Sequence, residues 1–331
     1  MIYKALIFLG ISVLIYFGIA FGMILSHPPA GEIPATRSLD FTGLLSDQDS
    51  VPWDDPRIRR ESVEMPDGAQ LSVTHVLPDV PARDNVPLVI MLHGSGWYGG
   101  QFNTLAWSLR DLAEVKAVTL RGHGADPVRR GDVDYVGQFE DDLAHLIGET
   151  TDRRVVLLGH SSGGGLVVRM AGGPHGDLID EAILLAPFLQ HDAPMTRANS
   201  GGWAHPLIRR IIGLSMLNAV GIRALDHLTA IQFAMPRKVL DGPMGHMATT
   251  AYSWRLNQSF APRRDWRADV AALPDFLLVA GRDDAAFDAA GYEASLSEVT
   301  DRGRYVVVPG VGHLDIVDHP ETLAEIRSAL Q

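Results

Sequence analysis

Three short, largely apolar runs constrain this chain most: Pro87–Leu92 (PLVIML), Arg154–Leu158 (RVVLL) and Phe276–Ala280 (FLLVA). Short runs without polar alternation suit strands buried on both faces, and such strands belong to parallel sheets covered by helices. Ala117–Leu120, Ala182–Leu185 and Tyr305–Val308 repeat the style. Helical patterns fall between them, at Thr104–Val115, Gln138–Glu149, Gly164–Met170, Tyr292–Val299 and Glu321–Leu330. Ahead of the first run, Arg57–Met65 and Gln70–Leu77 flank the turn signal Pro66-Asp67-Gly68 and read as a β-hairpin. This alternation predicts one α/β domain over residues 56–331, with a mostly parallel central sheet and helices on both faces. From about residue 190 to 273 the alternation stops, and the interval reads as an inserted helical cap.

The start of the chain obeys a different rule. Ala5–Leu25 is 21 residues without a charge, and at ~1.5 Å per residue it can cross a ~30 Å hydrocarbon core. It exceeds the ~7–15 apolar residues of a signal peptide, and Ser26-His27-Pro28-Pro29-Ala30-Gly31 offers no A-x-A-like cleavage site. The expectation is an uncleaved transmembrane anchor over residues 1–25. Lys4 precedes it and no Lys or Arg follows until Arg37, which favours the N-terminus inside and the catalytic domain on the outer, periplasmic or extracellular, face. Pro28, Pro29 and Pro34 suggest a stiff, extended stalk over residues 26–55.

Composition removes several classes of function. A net charge of −12 argues against a nucleic-acid partner, and the absence of Cys excludes disulfides, cysteine-ligated metals and a thiol nucleophile. His191, His205, His227 and His246 show no H-x-x-x-H or H-E-x-x-H spacing, so neither a metal nor another cofactor is expected.

After RVVLL comes Gly159-His160-Ser161-Ser162-Gly163, a G-x-S-x-G leading into a helix. The flanking glycines permit a tight strand-to-helix turn that exposes the Ser161 hydroxyl and aims free helix N–H groups at a developing oxyanion. No Lys follows as a phosphate loop requires. A serine nucleophile needs a base and a group that orients the base. His313, past the run Tyr305–Val308, is the candidate base, and Asp283 or Asp284, past FLLVA, the orienting acid. The chain order is then Ser, Asp, His.

These residues resemble the α/β-hydrolase superfamily, and more narrowly its lysophospholipase and monoacylglycerol-lipase-like branch, from about residue 57 onward. His93-Gly94-Ser95-Gly96 resembles the family's HG-x-G oxyanion loop, and Arg121-Gly122-His123-Gly124 the branch's R-G-H-G stretch. Gln138-Phe139-Glu140-Asp141-Asp142-Leu143 resembles the helix that follows it. The resemblance implies an α/β-hydrolase fold and a triad of Ser161, Asp284 and His313, the G-x-x-D spacing favouring Asp284 over Asp283. It also implies an oxyanion hole of the Ser162 and Ser95 N–H groups, with Gly96 the second choice for the latter, and no cofactor. Thr119 and Asp126 depart from the branch pattern around R-G-H-G, outside the triad.

Trp97 and Tyr98 are candidate acyl-pocket residues, and so are the cap's Ile211–Leu217, Met235, Met244 and Met247. Arg209-Arg210, beside an apolar helix, would meet anionic headgroups if the cap reached a bilayer. The implied activity is a membrane-anchored serine esterase acting on small-molecule or lipid esters of acyl-glycerol or lysophospholipid type. A peptidase, thioesterase or cofactor-free haloperoxidase would use the same triad, and a non-catalytic anchored binding module is the alternative of another class.

Overall fold

The computed structural model describes residues 2–34, 39–46, 51–79, 86–148 and 153–331. The chain opens with helix α1 (Ile2–Leu25) and a short α2 (Thr42–Ser46). A hairpin of β1 (Ile58–Glu64) and β2 (Gln70–Val76) leads to β3 (Leu88–Leu92), α3 (Asn103–Ser108), β4 (Glu114–Val118) and α4 (Gln138–Ile147). Then follow β5 (Val155–His160), α5 (Ser162–Ala171) and β6 (Glu181–Leu185). The insertion carries α6 (Asn199–Gly202), β7 (Ala204–Pro206), α7 (Ile208–Ala219), β8 (Thr229–Phe233) and α8 (Arg237–Leu240). It continues through β9 (Ala251–Ser253), α9 (Trp254–Phe260) and α10 (Trp266–Ala271). The chain closes with β10 (Phe276–Gly281), α11 (Ala290–Leu296), β11 (Gly303–Val308) and α12 (Pro320–Leu330).

The apolar runs are the centre of an eight-stranded sheet ordered β1-β2-β4-β3-β5-β6-β10-β11. Only the pairings of β2 with β1 and with β4 are antiparallel. Every residue of β3, β5 and β10 is buried, because one apolar cluster covers each face of the sheet. This is the mostly parallel, two-sided α/β-hydrolase architecture expected.

Local readings differ in three places. The helical pattern at Thr104–Val115 yields only α3, and Glu114 already pairs with Leu88 in the sheet. Tertiary pairing outweighs helical periodicity there. Glu149, the end of another expected helix, lies outside the described residues. The cap has its helices and also a three-stranded antiparallel sheet, β7-β8-β9, whose three- to five-residue strands are too short to show a period.

Several described residues of the expected stalk touch the folded body. Ala30 exchanges two 2.8 Å hydrogen bonds with the Gln232 side chain, and Leu39, Phe41 and Leu44 are buried in the larger apolar cluster. Phe41 lies edge-on to Trp97 of the core and 5.7 Å from Trp203 of the cap.

Candidate active site

Parallel strands deliver their carboxyl ends to one edge of the sheet, and there the chemistry-bearing side chains collect. Ser161 links β5 to α5 at φ 55°, ψ −121°, a conformation costly for a residue with a side chain. The turn can close only around glycine. A Cβ on Gly163 would lie 2.0 Å from the Leu92 carbonyl oxygen, and one on Gly159 2.4 Å from the backbone of Gly163.

His313 follows β11, and its Nε2 lies 3.0 Å from Ser161 Oγ. Its Nδ1 lies 2.7 Å from Asp284 Oδ2. Asp284 Oδ1 accepts from the N–H groups of Ala286 (2.6 Å) and Phe287 (2.9 Å). Burial works to raise the Asp284 carboxyl, but the imidazole and these donors outweigh it and hold the group below the usual carboxylate range. With Asp284 ionised, Nδ1 carries the proton and Nε2 is left to accept from the serine hydroxyl. Asp283 is exposed and makes no such contact, so geometry separates the two neighbours.

Two hydrogen-bond chains fix the surrounding loops. Gln101 accepts from Gly94 N–H at 3.2 Å and donates to His160 Nδ1 at 3.2 Å; His160 Nε2 donates to the His313 carbonyl at 2.9 Å. The second chain runs through the cap. His123 Nδ1 donates to the Arg121 carbonyl at 3.0 Å, leaving Nε2 to accept from the Tyr252 hydroxyl at 2.6 Å. The Tyr252 oxygen in turn accepts from Gly96 N–H at 2.6 Å. Burial pushes His160 down to about 3 and His123 down to about 4, so both rings stay neutral and their tautomers stay set.

Gly96 N–H is therefore engaged, whereas Ser95 N–H has no partner among the described residues. Ser162 opens α5, so its N–H has no carbonyl one turn earlier to bond. The Ser95 hydroxyl is held by Trp203 Nε1 at 3.0 Å. Thr119, at a departure from the branch pattern, accepts from Gly99 N–H and braces the far end of the same loop; Asp126 is exposed.

Ser161 and His313 open on a cavity of about 60 Å³ walled by Phe188, Trp203, Phe233, Tyr252, Phe260 and Phe287. A larger cavity of about 860 Å³ beyond the R-G-H-G loop touches none of the three triad positions. Tyr98 faces that second cavity, against the expectation of an acyl contact. Its ring packs on that of Trp97, with centroids 5.3 Å apart, yet it lines the second cavity and not the one at Ser161. Trp97 walls a recess of about 10 Å³ together with Leu39, Phe41 and Leu44, on another side of Ser161. Met235, Met244 and Met247 do not reach the Ser161 cavity, and within Ile211–Leu217 it is Ile211, Leu214, Met216 and Leu217 that pack on α1 instead. Among the described residues no cluster of three His, Asp or Glu side chains is placed to hold a metal ion.

A serine on a strand-to-helix turn, at the carboxyl edge of such a sheet and under a cap, defines the α/β-hydrolases. The sequence profile of the Alpha/beta hydrolase family matches residues 89–326, and the chain belongs to that family. A soluble variant of monoglyceride lipase from Saccharomyces cerevisiae, in complex with a substrate analogue, superposes with a TM-score of 0.65 at 16% identity, over 85% of this chain and 98% of that one. The monoacylglycerol lipase of Paleococcus ferrophilus gives 0.56 at 21% identity, over 78% and 96%. A membrane phospholipase A gives 0.54 at 15% identity, over 99% and 96%. By sequence, 142 residues are 28% identical to the protein phosphatase methylesterase 1 of Aspergillus fumigatus, over 38% of this chain and 34% of that one. The chain thus spans about a third of that relative's length.

Proposed function

We propose that the protein is a membrane-anchored serine hydrolase that cleaves carboxylic esters, of acyl-glycerol or lysophospholipid type, through an acyl-enzyme on Ser161. The observation that carries this reading is the buried run of contacts from Ser161 Oγ to His313 Nε2 at 3.0 Å and from Nδ1 to Asp284 at 2.7 Å. As Oγ attacks the ester carbonyl, its proton passes to His313 Nε2, and Asp284 stabilises the imidazolium. The N–H groups of Ser162 and Ser95 hold the oxyanion. Collapse of the tetrahedral species breaks the ester C–O bond, and His313 returns the proton to the departing alcohol. Water then repeats the sequence on the acyl-enzyme and releases the acid. No cofactor enters either half-reaction.

Aromatic walls around Ser161 favour an acyl chain over a polar acyl group. The lipase and phospholipase names of the structural neighbours support the same substrate class. α1 is apolar enough to cross a bilayer and serves as the anchor, with Lys4 inside and the catalytic domain on the outer face.

The test is activity-based labelling. A fluorophosphonate probe should label the wild type, and Ser161→Ala should abolish both labelling and hydrolysis of p-nitrophenyl esters, a loss of about 10³-fold or more. Labelling that persists in Ser161→Ala would overturn the assignment. A panel of esters, thioesters and aminoacyl amides should show esters turned over fastest.

A further inference from the structure

The last turns of α1 do not stand free of the catalytic body. From Tyr16 onward they run antiparallel to α7 of the cap, in a register set by several contacts. Arg209 donates to the Ser26 carbonyl at 2.7 Å and Arg210 to that of Ile24 at 3.3 Å. One turn on, Gly213 faces Ala20 and Ile24, and beyond it the Tyr16 hydroxyl donates to the Met216 carbonyl at 2.6 Å. A Cβ on Gly213 would lie 2.5 Å from the Ala20 carbonyl oxygen, so the helices can approach this closely only through glycine. Ala20 and Ile24 bury against Leu214 and Leu217. The two arginines also answer the negative C-terminal end of the α1 dipole.

Length then sets the depth of α7. The uncharged stretch after Lys4, Ala5–Leu25, is 21 residues, or ~32 Å, just enough for a ~30 Å hydrocarbon core. The part that α7 leaves uncovered, Ala5–Ile15, reaches only ~17 Å. A span by α1 therefore needs the turns that touch α7, and it brings the far end of α7 to acyl-chain depth. The chemistry of α7 matches that depth. Ile208 and Ile212 are exposed one turn apart, and Val220 (52% exposed) and Ile222 are exposed at its far end. Asn218 is turned inward, donating to the Leu214 carbonyl and the Asp226 carboxylate.

We propose that the cap docks on the lipid bilayer through α7, with the turn Val220–Ile222 sunk beside α1 beneath the headgroups, so that anchor and cap form one membrane-bound unit. The inference rests on the reading of α1 as a membrane span. The occupant of the exposed face is the bilayer because that face continues the surface by which α7 already holds the anchor.

The chain has no cysteine, so a single one reports one position. Val220→Cys and Val128→Cys, the latter at an 87% exposed position of the core domain, are labelled with an environment-sensitive fluorophore. Each full-length protein is placed in phosphatidylcholine vesicles containing a lipid with a nitroxide on its acyl chain, and washed with alkaline carbonate. The probe at 220 should be quenched at least twofold and blue-shifted, and the probe at 128 unaffected. Retention after the wash with an unquenched probe at 220, or equal quenching at both positions, would overturn the docking and leave the anchor standing. Release by the wash would overturn the anchor reading, and the docking with it.

Discussion

Ser161 has a backbone conformation that costs ~1–3 kcal/mol and is retained because Gly159 and Gly163 let the chain close around it. The strain places Oγ on His313 Nε2 and leaves Nδ1 for Asp284. Asp284→Asn should keep this geometry yet present the wrong donor to Nδ1, lowering kcat by about 10⁴-fold. Since the Asp284 carboxyl stays below the usual carboxylate range, the loss should extend undiminished from pH 5 to 9 in kcat against pH. The Tyr252 hydroxyl is a positioning group, holding Gly96 N–H beside the proposed oxyanion donor of Ser95. Tyr252→Phe should lower kcat by about tenfold, less than the ~10²–10³ lost with an oxyanion donor itself, with KM nearly unchanged. A selective rise in KM would assign Tyr252 to substrate binding instead. Ser161 and His313 were legible because motif and strand position coincide. Asp283 and Asp284 are adjacent and chemically identical; the G-x-x-D spacing favoured Asp284, and burial and distance set the two apart. Tyr252 and Gln101 carry no sequence signal, since each is tied to a distant partner, Gly96 at 156 residues and His160 at 59.

Among the elements, the cap decides what can reach Ser161. Trp203 of the cap stacks on Phe233, and both wall a cavity of about 60 Å³, small beside the ~300–1,000 Å³ of ligand pockets generally. Trp203→Ala should open it and shift the preferred p-nitrophenyl ester toward longer acyl chains, read as the ratio of kcat/KM for octanoate to butyrate. An unchanged ratio would place the acyl path elsewhere. Beneath the cap, Arg169 of α5 donates to Glu140 of α4 at 2.6 Å and to the carbonyls of Gln258 and Ala261, a nearly dry junction of three helices. Glu140→Gln leaves that guanidinium without its counter-charge and should cost about 3 kcal/mol, measured by urea unfolding. The buried strands were legible because an apolar run covered on both faces carries its own signature. The end of α3 and the cap sheet were not, because pairing to distant strands overrides or replaces local periodicity.

For the molecule as a whole, three buried imidazoles set the response to acid. His93, His123 and His160 are held below the ordinary 6.5 by burial above all, His123 to about 4 and His160 to about 3, and His93 well below. As pH falls through 6.5 the unfolded chain takes up protons that the folded one refuses. Stability from these rings is thus complete above pH 6.5 and declines toward pH 4, by about 1.4 kcal/mol per pH unit for each proton. Asp142 and Asp226, whose carboxyls burial raises, oppose this only near the acid end. Urea midpoints taken from pH 7 to 4.5 should fall steadily; a flat profile would contradict the neutral rings. The sequence by itself determined the α/β class, the order of the strands along the chain, the serine and histidine of the candidate site, and an apolar helix long enough to span a bilayer. Each of these is written in residues close together in the chain, as a run, a period or a motif. Tertiary structure alone decided how closely Asp284 meets His313, which cavity Tyr98 faces, and that described parts of the linker and α1 pack against the cap. Those outcomes depend on side chains brought together from distant parts of the chain, where no local pattern records the meeting.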